Sequence, residues 1–137
     1  MKLESPEKSY NSDDGLIYSC YYHVIFTPKY RRRVLTNEIQ ARLKELILEK
    51  QAEYGFKVVE METMPDHIHL LLSCNPKIGI YRCVCAIKGY TSNRLRTEFP
   101  KLRSQLPTLW TRSKFISSVG SVSLETVQKY IEDQKNV

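Results

Sequence analysis

His67-Ile68-His69 sets two imidazoles two residues apart inside the run MPDHIHLLLS. The period of two in a strand puts both rings on one side, with Ile68, Leu70 and Leu72 on the other, apolar side. Two imidazoles so placed can share one metal ion, and Asp66 just before them can serve as a partner that orients a ligating ring or as a further ligand. The spacing by itself does not separate a metal site from structural or surface histidines. Near the C-terminus, Leu124, Val127 and Ile131 form the stripe of an amphipathic helix, and Tyr130 and Gln134 lie at i, i+4 on its flank. A packing tyrosine and a solvated glutamine would account for that pair. A tyrosine oxygen is also a competent nucleophile toward a phosphodiester, which makes its combination with a metal-capable histidine pair worth following.

Charge supplies the third element. The 137 residues hold 21 Lys and Arg against 15 Asp and Glu, a net charge of +6. The surplus is local: residues 29–33 carry +4 and residues 82–114 carry +7, while the remaining stretches are slightly acidic. Lys29, Arg31, Arg32 and Arg33 make the first segment; Arg82, Lys88, Arg94, Arg96, Lys101, Arg103, Arg112 and Lys114, opposed by Glu98, make the second. A solvated basic face is one explanation. Clustering of this kind favours a polyanion, because neutralising phosphates with release of counterions needs Lys and Arg close together. Tyr22, Tyr30, Tyr90 or Trp110 could stack on an unpaired base.

These residues need a scaffold of one domain's size, too small for a second catalytic domain or a motor. No apolar run approaches a membrane span. The polar, acidic residues 1–15 have no signal-peptide core and read as a flexible N-terminal tail, with residues 16–137 as one domain, no membrane association and a cytoplasmic location. Cys20, Cys74, Cys83 and Cys85 lack metal-ligand spacing and read as reduced core thiols. Tyr18 to Thr27 is a β-branched and aromatic strand, central in its sheet. A helix opens with a capping-box-like Asn37 and Gln40, buries Ile39, Leu43, Leu46 and Ile47, and stops at Gly55. Phe56 to Thr63 and His67 to Ser73 read as a hairpin whose tip delivers His67. Ile78 to Phe99 is helical, weakened by Gly89 and ended by Pro100; Pro107 and Trp110 mark a loop. Lys114 to Val119 is a fourth strand, and the Tyr130 helix follows. His23 reads as a satisfied strand histidine. The order βαββαβα predicts an α+β fold of the ferredoxin-like, split βαβ kind: an antiparallel four-stranded sheet with helices on one face and an extra C-terminal helix carrying the tyrosine.

Five ordered blocks between Tyr18 and Gln134 now carry a resemblance: MPDHIHLLLS, FTPKYRRRVL, KGYTSNRLRTEFP, LWTRSKFISSVG and VSLETVQKYIEDQ. Together they resemble the single-tyrosine transposases of the insertion-sequence 200/605 family, whose histidine-hydrophobe-histidine (HUH) motif aligns with His67 and His69. The resemblance implies a prokaryotic enzyme, nucleoid-associated when bound to DNA. It would cleave and rejoin single-stranded DNA through a 5′-phosphotyrosine on Tyr130. It also implies recognition of hairpins at element ends and a homodimer whose tyrosine helix acts in trans. His67, His69 and Gln134 would hold Mg²⁺ or Mn²⁺; imidazole and amide ligands suit Mn²⁺, whereas Mg²⁺ prefers oxygen. Lys29, Arg31, Arg32, Arg33, Lys88, Arg94, Arg96, Arg103, Arg112 and Lys114 would contact DNA. Two other readings stand beside this one: a domesticated, repeat-associated tyrosine transposase, and a non-catalytic nucleic-acid-binding module, since this sheet also occurs in RNA-binding domains.

Overall fold

Apolar residues recurring every second position in four segments, and every third or fourth in two, dictate a sheet with helices on one side. The computed structural model, which describes residues 11–120, has that layout. Its elements in order are β1 (Asn11–Asp13), β2 (Leu16–Tyr18), β3 (Tyr21–Phe26), α1 (Asn37–Glu49), α2 (Gln51–Tyr54), β4 (Phe56–Met64), β5 (His67–Cys74), α3 (Ile80–Glu98), α4 (Lys101–Gln105) and β6 (Phe115–Val119). The main sheet runs β4-β5-β3-β6 and is antiparallel throughout. This is the strand order of the split βαβ fold expected from the sequence. The expected C-terminal helix, with Tyr130 and Gln134, lies outside the described residues. Among the described residues no helix is long and apolar enough to cross a membrane.

One face of the sheet is the core. Val24, Phe26, Ile68, Leu70 and Leu72 meet Ile39, Leu43, Leu46 and Ile47 of α1 and Cys83, Val84, Ile87 and Leu95 of α3, all buried. A bulge in β4 between Val58 and Glu60 controls which residues face that core. The extra residue reverses the alternation, so Phe56 and Val58 before it and Met61 after it are all buried. Without the bulge, Met61 would face away from the helices and Glu62 toward them.

Several boundaries differ from the sequence expectation, for physical reasons. Residues 11–15, expected in a flexible tail, form β1 and the tight Asp14-Gly15 turn of a hairpin with β2. Asn11 is buried and donates to Ser73 Oγ (3.0 Å), which ties this hairpin to the end of β5. The cap of α1 is Thr36, which accepts from the Ile39 N–H, not Asn37. Gln40 instead donates to the Leu35 carbonyl and accepts from Thr63. The first helix breaks at Lys50 (φ −100°, ψ 4°) into α1 and α2 and stops at Gly55, whose φ of 69° is left-handed. α4 occupies residues between Pro100 and Pro107 to which the sequence assigned no element. Of the four free cysteines, Cys74 and Cys83 are buried, but Cys85 is exposed. Among the described residues β3 is interior, between β5 and β6, and β4 and β6 are the outer strands of the sheet.

Candidate nucleic-acid and metal site

The His67–Cys74 strand alternates as expected: Ile68, Leu70 and Leu72 are buried, and His67 and His69 share the opposite face. The two-residue turn Pro65-Asp66 places them at the hairpin tip, in register with β4 through Met64 opposite His67 and Glu62 opposite His69. The His67 Nδ1–H donates to Asp66 Oδ1 at 2.9 Å, and Asp66 Oδ2 accepts from Arg31 Nε at 3.2 Å. The bond from His67 is the main reason that the Asp66 carboxyl is held below its usual range, with Arg31 adding to it. An ionised Asp66 fixes the His67 tautomer and leaves Nε2 with a lone pair pointing away from the carboxylate, the arrangement of a ligating histidine with a carboxylate behind it.

His69 has a partner that the sequence did not reveal. His23 Nδ1 and His69 Nε2 are 2.9 Å apart and share a hydrogen bond, and the two rings stack with centroids 5.1 Å apart and planes 15° from parallel. His23 is on β3, opposite Leu71, while Ile25 is opposite His69, so the pairing register brings the two histidines together diagonally. Burial, with the neighbouring His23 second, pushes the His69 imidazole below its ordinary value. A neutral imidazole is the form that ligates a metal. The expectation of a satisfied strand histidine holds for the hydrogen bond, but its partner is a candidate ligand. Only the register, which a lone sequence does not give, shows that His23 lines this face.

The donor set fits a divalent ion in part. Two imidazoles share a face and each has its other nitrogen or its ring held by a neighbour. Among the described residues no three His, Cys, Asp or Glu side chains converge as a complete ligand set, so His67 and His69 need another donor. Gln134, the expected one, lies outside the described residues, as does Tyr130.

The first basic segment wraps the same hairpin tip. The Leu35 N–H donates to the Pro65 carbonyl, and Arg31 reaches Asp66. Arg31, Arg32 and Arg33 are exposed. The second segment joins it through backbone bonds: the Lys29 N–H donates to the Leu109 carbonyl (2.8 Å) and the Thr111 N–H to the Thr27 carbonyl (2.9 Å). Arg112 and Lys114 follow Thr111 toward β6, with Lys114 Nζ 5.0 Å from the centre of the exposed Tyr81 ring.

Three other cations of the second segment, Lys88, Arg94 and Arg103, have partners within the fold, while Arg82 and Lys101 are exposed. Lys88 Nζ donates to the Thr111 carbonyl at 2.7 Å and lies 3.4 Å from those of Arg112 and Ser113, and burial pushes its ammonium below the ordinary lysine value. Arg94 pairs with Glu98 at 3.0 Å. Arg103 donates to the Arg96 carbonyl, and Arg96 is itself half-buried. Of the four candidate stacking aromatics, Trp110 is buried edge-on against Phe26 and donates to Thr91, while Tyr22 and Tyr90 pack against the core. Tyr30 alone of the four is exposed, at 65%. A cleft of about 610 Å³ lined by Tyr18, Leu48, Phe56, Val58 and Ser73 opens at the other end of β5 and contains none of these residues.

Comparison with known proteins identifies the family. Residues 16–134 match the family described as IS200-like transposases. The chain is 39% identical over 122 residues to the ISDra2 transposase TnpA of Deinococcus radiodurans, covering 88% of this chain and 87% of that one. It is 32% identical over 120 residues to the transposase of insertion sequence IS200 from Salmonella typhimurium, covering 85% and 78%. A 1.90 Å crystal structure assigned as a transposase from Deinococcus radiodurans R1 superposes with a TM-score of 0.72 at 34% identity, covering 90% of this chain and 97% of that one. A REP-associated tyrosine transposase bound to a REP hairpin shares the fold, with a TM-score of 0.55 at 12% identity, covering 89% and 68%.

Proposed function

Because this chain belongs to the IS200-like transposase family, we propose that it cleaves and rejoins single-stranded DNA, taking Tyr130 as nucleophile and hairpins at element ends as the recognised form. The observation that carries the reading is the hairpin tip. There His67, braced by an ionised Asp66, and His69, braced by His23, share one sheet face, and Arg31 is tied to the same tip through Asp66.

In the proposed reaction the Tyr130 oxygen forms a bond to phosphorus as the bond to the 3′ oxygen breaks. The strand's 5′ phosphate is left on the tyrosine and a 3′-hydroxyl is released. A free phenol has a pKa of about 10, so the proton must leave as the attack proceeds. His67, His69 and Gln134 would hold Mg²⁺ or Mn²⁺, which when bound supplies electrostatic polarisation of the scissile phosphate. Asp66 keeps His67 in one tautomer, and His23 fixes the ring of His69. The phosphotyrosine conserves the phosphodiester's energy, so a 3′-hydroxyl of another strand reverses the step and joins the ends. Arg31, Arg32, Arg33, Arg112 and Lys114 are the cations best placed to follow the strand's phosphates. A homodimer with the tyrosine helix acting in trans completes the proposal.

The test is covalent trapping. Purified protein is mixed with labelled single strands from the DNA flanking its gene and with Mg²⁺ or Mn²⁺, then run on a denaturing gel. The expected result is an adduct that needs metal and one particular strand and that disappears in Tyr130→Phe and His67→Ala. Hairpin binding with no adduct would replace this reading by a non-catalytic binding module.

A further inference from the structure

Tyr30 and Arg31 are consecutive non-glycine residues with positive φ, 60° and 52°. In that region Cβ crowds the backbone carbonyl, so the conformation persists only where neighbours enforce it. Here they do: the Lys29 N–H donates to Leu109, the Arg31 N–H to Pro28, and the Arg31 side chain to Asp66. The turn projects the Tyr30 ring outward. Its neighbours are two cations, Lys29 Nζ at 5.3 Å and Arg32 Cζ at 5.9 Å from the ring centre. Glycine would take this backbone at no steric cost, and no buried contact calls for a large ring.

We infer that Tyr30 is the stacking platform for an unpaired base of the strand whose phosphate lies at His67 and His69. The inference rests on the single-stranded DNA reading above. The placement follows from the chain of contacts, since the residue after Tyr30 holds Asp66 and Asp66 holds His67. The ligand class follows from the chemistry. Any base offers a π face to an exposed aromatic, and the two cations beside that aromatic meet the phosphates flanking the base. An incoming base exchanges an exposed cation–π contact for stacking, and the released Lys29 or Arg32 becomes available to a phosphate.

The experiment uses the full chain carrying Tyr130→Phe, so that binding is read without cleavage. The probe is an oligothymidylate strand with one 2-aminopurine, whose fluorescence reports stacking, titrated at fixed salt, with thermal melting of each variant in parallel. Tyr30→Phe and Tyr30→Trp should keep the quench and the affinity. Tyr30→Gly should lose the quench and about 5- to 100-fold in affinity, with a melting temperature equal to or above the parent's, because the strain is relieved. Full binding by Tyr30→Gly would overturn the proposal while leaving the transposase reading intact. Weakened binding together with a lowered melting temperature would make Tyr30 a structural residue and also overturn it. Failure of the parent chain to bind any single strand would overturn the DNA reading, and this inference with it.

Discussion

Residues 29–33 and 82–114 carry surpluses of +4 and +7, yet their cations stand in different company. In the first segment Arg31, Arg32 and Arg33 are at the surface, and the one with a carboxylate partner, Arg31, uses it to reach the histidine hairpin. In the second, the larger surplus is partly absorbed by the fold: Lys88 by three carbonyls, Arg94 by Glu98, Arg103 by the end of α3. Arg82, Lys101, Arg112 and Lys114 remain. Counting charges along a sequence therefore overstates what the second segment offers a ligand, because a cation's availability depends on which backbone oxygens and carboxylates the fold brings to it.

The comparison breaks most visibly at Lys88. Lys88→Met should destabilise the fold by about 2 kcal/mol, measured by denaturant unfolding, because carbonyls of residues 111–113 lose their donor. A normal stability with weakened DNA binding would instead return Lys88 to the interface. A smaller effect is expected for Arg32→Gln and Arg33→Gln. Each should leave stability within about 0.5 kcal/mol and reduce the salt dependence of single-strand affinity by roughly 0.7 in log–log slope; an unchanged slope would show that the first segment does not follow phosphates. The smallest effect belongs to Arg94→Gln. Glu98 is held below the usual carboxylate range, first by its bond from Arg42 and then by Arg94. A carboxylate so lowered stabilises the fold above the unfolded value, and that contribution disappears as pH falls through the folded one. Arg94→Gln should thus slightly flatten the stability loss below pH ~4.5 and leave DNA affinity at neutral pH unchanged.

The alternation that exposed His67 and His69 on one face was legible in the sequence because Ile68, Leu70 and Leu72 form an unbroken apolar set, and a hairpin with Pro65-Asp66 at its turn has few registers open to it. The split βαβ order was legible for the same reason: each element has its own period. What could not be read depends on contacts between segments far apart in the chain. His23 and His69 are 46 residues apart, and their hydrogen bond follows from strand register. The β4 bulge reverses a side-chain parity without any residue that marks it. Residues 11–15 looked like tail because the polar groups that anchor them, Asn11 to Ser73 and Asp13 to Asn75, are satisfied only across the fold. Lys88 looked like the arginines on its helix.

β5 is fastened at both ends as well as along both edges. At the His67 end, Pro65 and Asp66 are tied to Leu35 and Arg31; at the Cys74 end, Ser73 and Asn75 are tied to the first hairpin, and the Cys74 N–H to the Cys20 carbonyl. In the language of native-state opening, such a strand has no frayed end from which to peel and no partial excursion that spares the rest of the sheet. Its amides should exchange with solvent more slowly than those of the outer strands, which native-state hydrogen exchange would read. The two histidines thus ride on a strand that is bonded along both edges and at both ends.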